Sequence, residues 1–408
     1  MSFARLEPAA RRQSRWLTFS YFAYFSVLAA FVPYLAVYLD GVGFNSREIG
    51  ELIAIITACR VFGPPLWATL ADRSGRCIPY IRIGAGAGLV LFLALLWSSS
   101  YWWVALTMGL MSLFWSAILP QLEVLSLATL GERTELYSRI RVGGSLGFIF
   151  VSLVIGELLA ATGVHRFPIY GALLVGLLLF STWQLYEPKR TVAGQISQEH
   201  QGSIWKRIKQ RRFIAFLLST TLLQASFAPF YAFFALYLTY LGYPPYAVGM
   251  LIAMGVVVEV GMFLIAGRTV ARFGIRNILL FCMLMTMLRW ALMAQFAEVL
   301  WWLIIAQGLH AFSFALHHAA AIGFIHQHFP AHEQSRGQSF YVGFGFGAGG
   351  ALGAWAAGLV WQEHVGASIG FTGAAVLALC GALLCLVMGR DPAPRETLDD
   401  PLNQPHDN

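Results

Sequence analysis

The chain has 408 residues, of which 58% are hydrophobic and only 12% charged, with a mean hydropathy of +0.65, whereas soluble domains carry roughly 25% charged residues. That composition excludes a soluble enzyme and describes a chain that crosses a bilayer many times. The net charge of +7 would suit a nucleic-acid partner in a soluble protein, but here the excess lies in loops on one side of the membrane, so no nucleic acid is expected.

In chain order, Arg5, Arg11, Arg12 and Arg15 precede a long apolar run with no small-residue cleavage site, which predicts a start anchor and no cleavable signal peptide. A bilayer core of about 30 Å needs around 20 mostly apolar residues per helix. Twelve segments fit: 16 to 39, 47 to 70, 79 to 98, 101 to 128, 138 to 160, 167 to 186, 213 to 239, 245 to 266, 276 to 296, 300 to 326, 337 to 361 and 367 to 389. Arg47 and Arg166 lie in or at the edge of loops opposite the termini, and Arg60, Arg141 and Arg289 lie deep inside spans; every other Lys and Arg lies in a loop or tail, or within four residues of a span end, on the side of the termini. The positive-inside rule then predicts a multi-pass protein of the cell's inner (plasma) membrane with both termini cytoplasmic. Cys59, Cys282, Cys380 and Cys385 lie in apolar runs of a chain with five cysteines, which predicts free thiols.

Residues 187–212 form a polar, basic linker. It divides an N-terminal half, 1–186, from a C-terminal half, 213–390, and a polar cytoplasmic tail follows at 391–408. A shift of 199 residues superposes Tyr38, Leu39, Gly43, Gly50, Leu52, Ile53 and Ala54 on Tyr237, Leu238, Gly242, Gly249, Leu251, Ile252 and Ala253, and Arg73 and Gly75 on Arg272 and Gly274. Shared hydrophobicity alone does not produce so many identities at one ungapped offset. Repeats of six spans have the same orientation, which predicts two pseudo-symmetric halves with a substrate site between them.

The loop after the second span reads ATLADRSGRC. It resembles the signature of the major facilitator superfamily, G-x-L-A-D-R-x-G-R-K, with Asp72, Arg73, Gly75 and Arg76 in register, Ala68 in place of the first glycine and Cys77 in place of the last lysine. The resemblance implies an all-α membrane fold of twelve helices in two six-helix halves. An Asp and Arg beside a helix end can latch two helices, and Gly75 permits the tight turn.

Ionisable groups inside spans are costly and tend to face a cavity or a partner. They are Arg60, Glu123, Arg141, Glu259, Arg289, His310, His317 and His318. Glu123 and Arg141 flank a turn centred on Glu132, so antiparallel helices put them at similar depth, able to pair or to hold a polar substrate together. Glu259 and Arg289, and then Arg289 and His310, flank later turns in the same way. An acid, a histidine and a fixed cation at one depth suit proton coupling. The 199-residue shift maps Arg60 onto Glu259, so the two are expected to oppose each other across the central cavity. Gly63, Pro64 and Pro65 are expected to interrupt the second helix.

The stretch YSRIRVGGSLGF, with an acid eighteen residues before its second arginine, is similar to the region of lactose permease where that pair binds sugar. The segments WLTFSYFAYF, MGVVVEVGMF, LRWALM and LHAFSFALHHAA resemble the phenylpropionate permease group of the same superfamily. The resemblance covers nearly the whole chain and implies roles for Glu259, Arg289, His310 and His318. Lactose permease has a carboxylate three residues after the corresponding histidine, where this chain has Ser313, so Glu259 is the substitute proton carrier. The resemblance favours His318, but helical periodicity puts His317, seven residues from His310, on nearly the same face and ranks His318 lower.

GFGFGAGG, residues 343–350, suits close helix packing and not nucleotide binding, since no strand precedes it. The midspan rings of Tyr24, Phe230 and Tyr231 are placed to stack an aromatic substrate. Together these features predict a monomeric alternating-access transporter whose partners are a small-molecule substrate, protons and the lipid bilayer. It is expected to symport a small organic anion such as 3-phenylpropionate, driven by the proton gradient, with no cofactor, metal or catalytic residue. The alternative within transport is a nucleoside or oligosaccharide symporter. An intramembrane enzyme would need a nucleophile or metal set, and a sensor an added domain; the sequence supplies neither.

Overall fold

The computed structural model describes residues 6–188, 204–330, 333–362 and 365–389, so the predicted tail and most of the predicted linker lie outside the described residues. Among these residues every regular element is helical. Eleven helices are long and apolar enough to cross a membrane: α1 (Pro8–Gly41), α2 (Ser46–Ser74), α4 (Tyr101–Leu130), α5 (Thr134–Thr162), α6 (Val164–Trp183), α7 (Arg211–Tyr240), α8 (Pro245–Phe273), α9 (Ile275–Phe296), α10 (Leu300–His328), α11 (Gln334–Trp361) and α12 (Ala367–Val387). The twelfth predicted span is a shorter apolar helix, α3 (Ile78–Ala94), which gives way to turns over residues 95–97.

Local chemistry explains several ends and breaks. The Asn45 side chain accepts from the Glu48 N–H at 3.0 Å while the Glu48 carboxylate accepts from the Asn45 N–H at 2.9 Å. This reciprocal box fixes the start of α2. Turns at Ser116–Ala117 divide α4 shortly before Pro120, and a turn at Phe227 divides α7 just before Pro229, because a proline supplies no N–H to the carbonyl four residues back. The expected interruption of α2 does not occur: Pro64 and Pro65 lie inside a continuous helix. Proline's fixed φ is itself helical, so the pair removes two hydrogen bonds without ending the helix.

Two segments wind more loosely than an α-helix. Phe312–Leu316 in α10 and Tyr341–Gly349 in α11 are π-helical. Each π turn adds a residue to the helical repeat and shifts the face on which later side chains emerge.

The halves meet mainly at the face remote from the termini. A Cβ built on Gly50 of α2 would lie 2.6 Å from the Gly358 Cα of α11, well inside the roughly 3.5–4.0 Å carbon contact distance. Gly249 of α8, which matches Gly50 in the repeat, packs as tightly on the Ser152 carbonyl of α5. Only glycine permits backbones to approach so closely. Hydrogen bonds join the halves at this face, among them Tyr240 Oη to Asp40 Oδ1 at 3.1 Å and the Tyr246 N–H to Glu157 Oε1 at 2.9 Å. Further in, Val61 of α2 packs against Gly343 and Gly347 of α11. The inter-half hydrogen bonds and glycine-mediated approaches described here run from that level to the remote face.

Candidate functional site

The centre of the N-terminal half is built from α1, α2, α4 and α5. Tyr24 is buried and stacks on Trp115, with centroids 4.7 Å apart and planes at 16°. Arg60 is exposed and lines a shallow pocket within the N-terminal half together with Val27, Phe31, Ser112 and Trp115. Tyr24 is the neighbour the Arg60 charge acts on. The Arg141 guanidinium lies 4.0 Å over the Phe25 ring and 5.7 Å from the centroid of Tyr21. Its charge acts on both Glu123 and Glu259, but no ion pair joins Arg141 to Glu123 among the described residues. The predicted pair is a shared electrostatic neighbourhood with Tyr137 beside Glu123.

The centre of the C-terminal half is denser. Arg289 is fully buried, with its guanidinium carbon 4.2 Å from the Trp290 ring centroid, 4.4 Å from Phe230 and 5.4 Å from Phe227. His310 lies against the same two phenylalanines, 6.0 Å from each. Its Nε2 stands 3.5 Å from Glu259 Oε2. Arg289, His310 and Glu259 therefore share a depth, as the turn spacing predicted. The expected opposition of Arg60 and Glu259 is not found: Glu259 has His310 and the Arg141 charge as its neighbours, and Arg60 has Tyr24. Repeat equivalence fixes depth along the membrane normal, but helix rotation decides which groups meet.

The ranking of His317 over His318 is overturned as well. His310, Phe314 and His318 form one column, with centroids 5.8 and 6.3 Å apart and planes within 17° and 9°. The π turn at Phe312–Leu316 inserts one residue, so the face that repeats after seven residues in an α-helix repeats after eight here. His318 Nδ1 lies 3.0 Å from the buried Tyr341 Oη at the start of the second π segment. His317 is buried elsewhere, its Nε2 without a partner among the described residues.

In the signature loop, Gly75 ends α2 in the left-handed region at φ 68° and its N–H donates to the Ala71 carbonyl, the tight turn expected of it. Asp72, Arg73 and Arg76 are exposed. The following helix start is held by Glu187, which accepts from the Cys77 and Ile78 N–H groups at 2.7 Å each. Sequence reasoning missed Glu187, Phe25, Trp115, Trp290, Gln307 and Tyr341. Of these only Gln307, three residues before His310, carried a periodicity signal.

Residues 14–372 match the model of the MFS_1 like family. The chain belongs to that family of major facilitator transporters. It is 30% identical over 317 residues to a probable 3-phenylpropionic acid transporter of Escherichia coli (strain K12), covering 77% of this chain and 82% of that one. It is 27% identical over 396 residues to the maltose permease of Geobacillus stearothermophilus, covering 94% and 96%. Among solved structures it resembles the nucleoside transporter NupG, with a TM-score of 0.79 at 19% identity over 92% of this chain and 98% of that one. That likeness shows the fold alone. This family member is a membrane transporter and not an enzyme.

Proposed function

We propose that this transporter is a proton-coupled symporter of a small aromatic carboxylate such as 3-phenylpropionate, working as a monomer by alternating access between the halves at 1–186 and 213–390, with both termini in the cytoplasm of a cell bounded by its inner membrane. The observation that carries this reading is the charge inventory at the centre. Arg60, Arg141 and Arg289 stand there against two carboxylates, Glu123 and Glu259. A surplus cation in a low-dielectric site favours an anionic ligand, and Tyr24, Phe25, Phe230 and Tyr231 offer ring faces to an aryl group. The printed substrate of the E. coli relative supports the same class. Glu259 and His310, 3.5 Å apart, are the proton-carrying pair: a histidine and a carboxylate so close can share or release one proton as the halves rock.

Uptake of labelled 3-phenylpropionate into proteoliposomes, with and without an imposed proton gradient, tests this. Accumulation that follows the gradient and resists competition by uridine and maltose is expected. Uptake of uridine or maltose in place of the acid would replace the substrate class, and accumulation indifferent to the gradient would remove the coupling.

A further inference from the structure

We infer that Arg289, with Gln307 on the turn next to His310, is the anchor for the carboxylate of the transported anion, a site distinct from the Glu123 and Arg141 pair of the N-terminal half. The inference deepens the organic-anion reading and rests on it. Arg289 is fully buried, and its Nε, Nη1 and Nη2 have no protein acceptor among the described residues. Gln307 is also fully buried, with both amide atoms unpaired, and His310 Nδ1 is unpaired too. These groups converge. His310 and Arg289 share the Phe227 and Phe230 rings, and a Cβ on Gly255 of α8 would lie 3.3 Å from Gln307 Oε1 and 3.4 Å from His310 Cδ2.

A buried guanidinium without an acceptor is costly, and ring faces offset only part of that cost. The unmet hydrogen-bonding capacity of the cluster is mostly donor capacity: the guanidinium fork and the glutamine amide N–H groups outnumber the acceptors Gln307 Oε1 and His310 Nδ1. Two coplanar oxygens of a carboxylate match a guanidinium fork in both charge and geometry. Arg141 is differently placed, since the charges of Glu123 and Glu259 already act with it, while no carboxylate pairs with Arg289 among the described residues. Phe230 is half-buried and its ring touches the Arg289 guanidinium.

The test is calorimetric titration of the purified full chain in lipid nanodiscs with 3-phenylpropionate and with its uncharged amide, 3-phenylpropanamide. Wild type is expected to bind the acid in preference to the amide. Arg289→Met should abolish that preference, Arg289→Lys should weaken the acid about tenfold while leaving the amide unchanged, and Gln307→Leu should weaken the acid severalfold. Arg82→Met, which removes an arginine bound to the Thr182 carbonyl and Trp183 ring away from these groups, should leave the preference in place. A preference retained in Arg289→Met, or lost equally in Arg82→Met, overturns the anchor while the organic-anion reading stands. Failure of wild type to bind the acid overturns both. If Arg289→Met does not fold, an unchanged acid affinity in Arg289→Lys and Gln307→Leu overturns the anchor. Affinity for the acid that rises on adding chloride would assign the arginine to an inorganic anion, with the same consequence.

Discussion

The centres of the two halves share a repeat and a fold but hold their arginines differently. In the N-terminal half Arg141 lies over Phe25 at the cleft, in the field of two carboxylates. In the C-terminal half Arg289 is shut away among Phe227, Phe230 and Trp290 with no carboxylate paired to it among the described residues. The π segments that depart from regular α winding also lie only in the C-terminal half among the described residues. A duplicated frame constrains span number, depth and glycine crossings, while its interior is free to diverge. One half keeps two arginines and a carboxylate in a shared electrostatic neighbourhood, and the other an aromatic box with an acid and a histidine beside it.

Glu259→Gln breaks the comparison most severely. It mimics the protonated acid and cannot release a proton, so active accumulation is expected to fall by about a hundredfold or more while exchange across the membrane persists. Measuring both in the same vesicles decides the matter: normal accumulation removes Glu259 from coupling, and joint loss makes it a structural counter-charge to its neighbours.

The glycine crossings sharpen the comparison from the opposite direction, because there the halves are equivalent. Gly50→Leu and Gly249→Leu should each disrupt closure at the remote face, by overpacking of about 1–3 kcal/mol, and slow transport by similar factors. Thiol accessibility of cysteines placed along the cleft checks this. A large effect at one position and none at the other would show that only one crossing moves.

His318→Leu is expected to lower stability by about 1–3 kcal/mol, since it leaves the buried Tyr341 hydroxyl unpaired. His317→Leu, which replaces a buried imidazole with an unmet nitrogen, should be near neutral or stabilising. Thermal unfolding in detergent compares them, and the reverse order would mean that the π register of α10 is not kept. The smallest effect is expected at the exposed loop. Asp72→Asn should slow transport by about a factor of two without changing substrate affinity, because an exposed charge interacts weakly in the state described here. Full turnover in that variant would leave the loop a topological role only.

The signals legible in the sequence were those set by counting. Apolar run length gave the twelve spans, because the bilayer thickness is a ruler that the chain must meet. The ungapped 199-residue repeat gave the glycines that later prove to cross between the halves, and turn spacing gave the common depth of Glu259, Arg289 and His310. Rotation about each helix axis was not legible. A single inserted residue at Phe312–Leu316 exchanged His317 for His318, two prolines expected to interrupt α2 were absorbed by it, and Glu259 faced His310 and Arg141 where the repeat had suggested Arg60. The partners that complete the site, Phe25, Trp290 and Tyr341, come from helices or turns whose mutual orientation only packing decides. Sequence by itself determined depth and number, which follow from the one-dimensional rise of 1.5 Å per residue. Azimuth and neighbour required the tertiary structure, because they depend on how every helix is turned against the others.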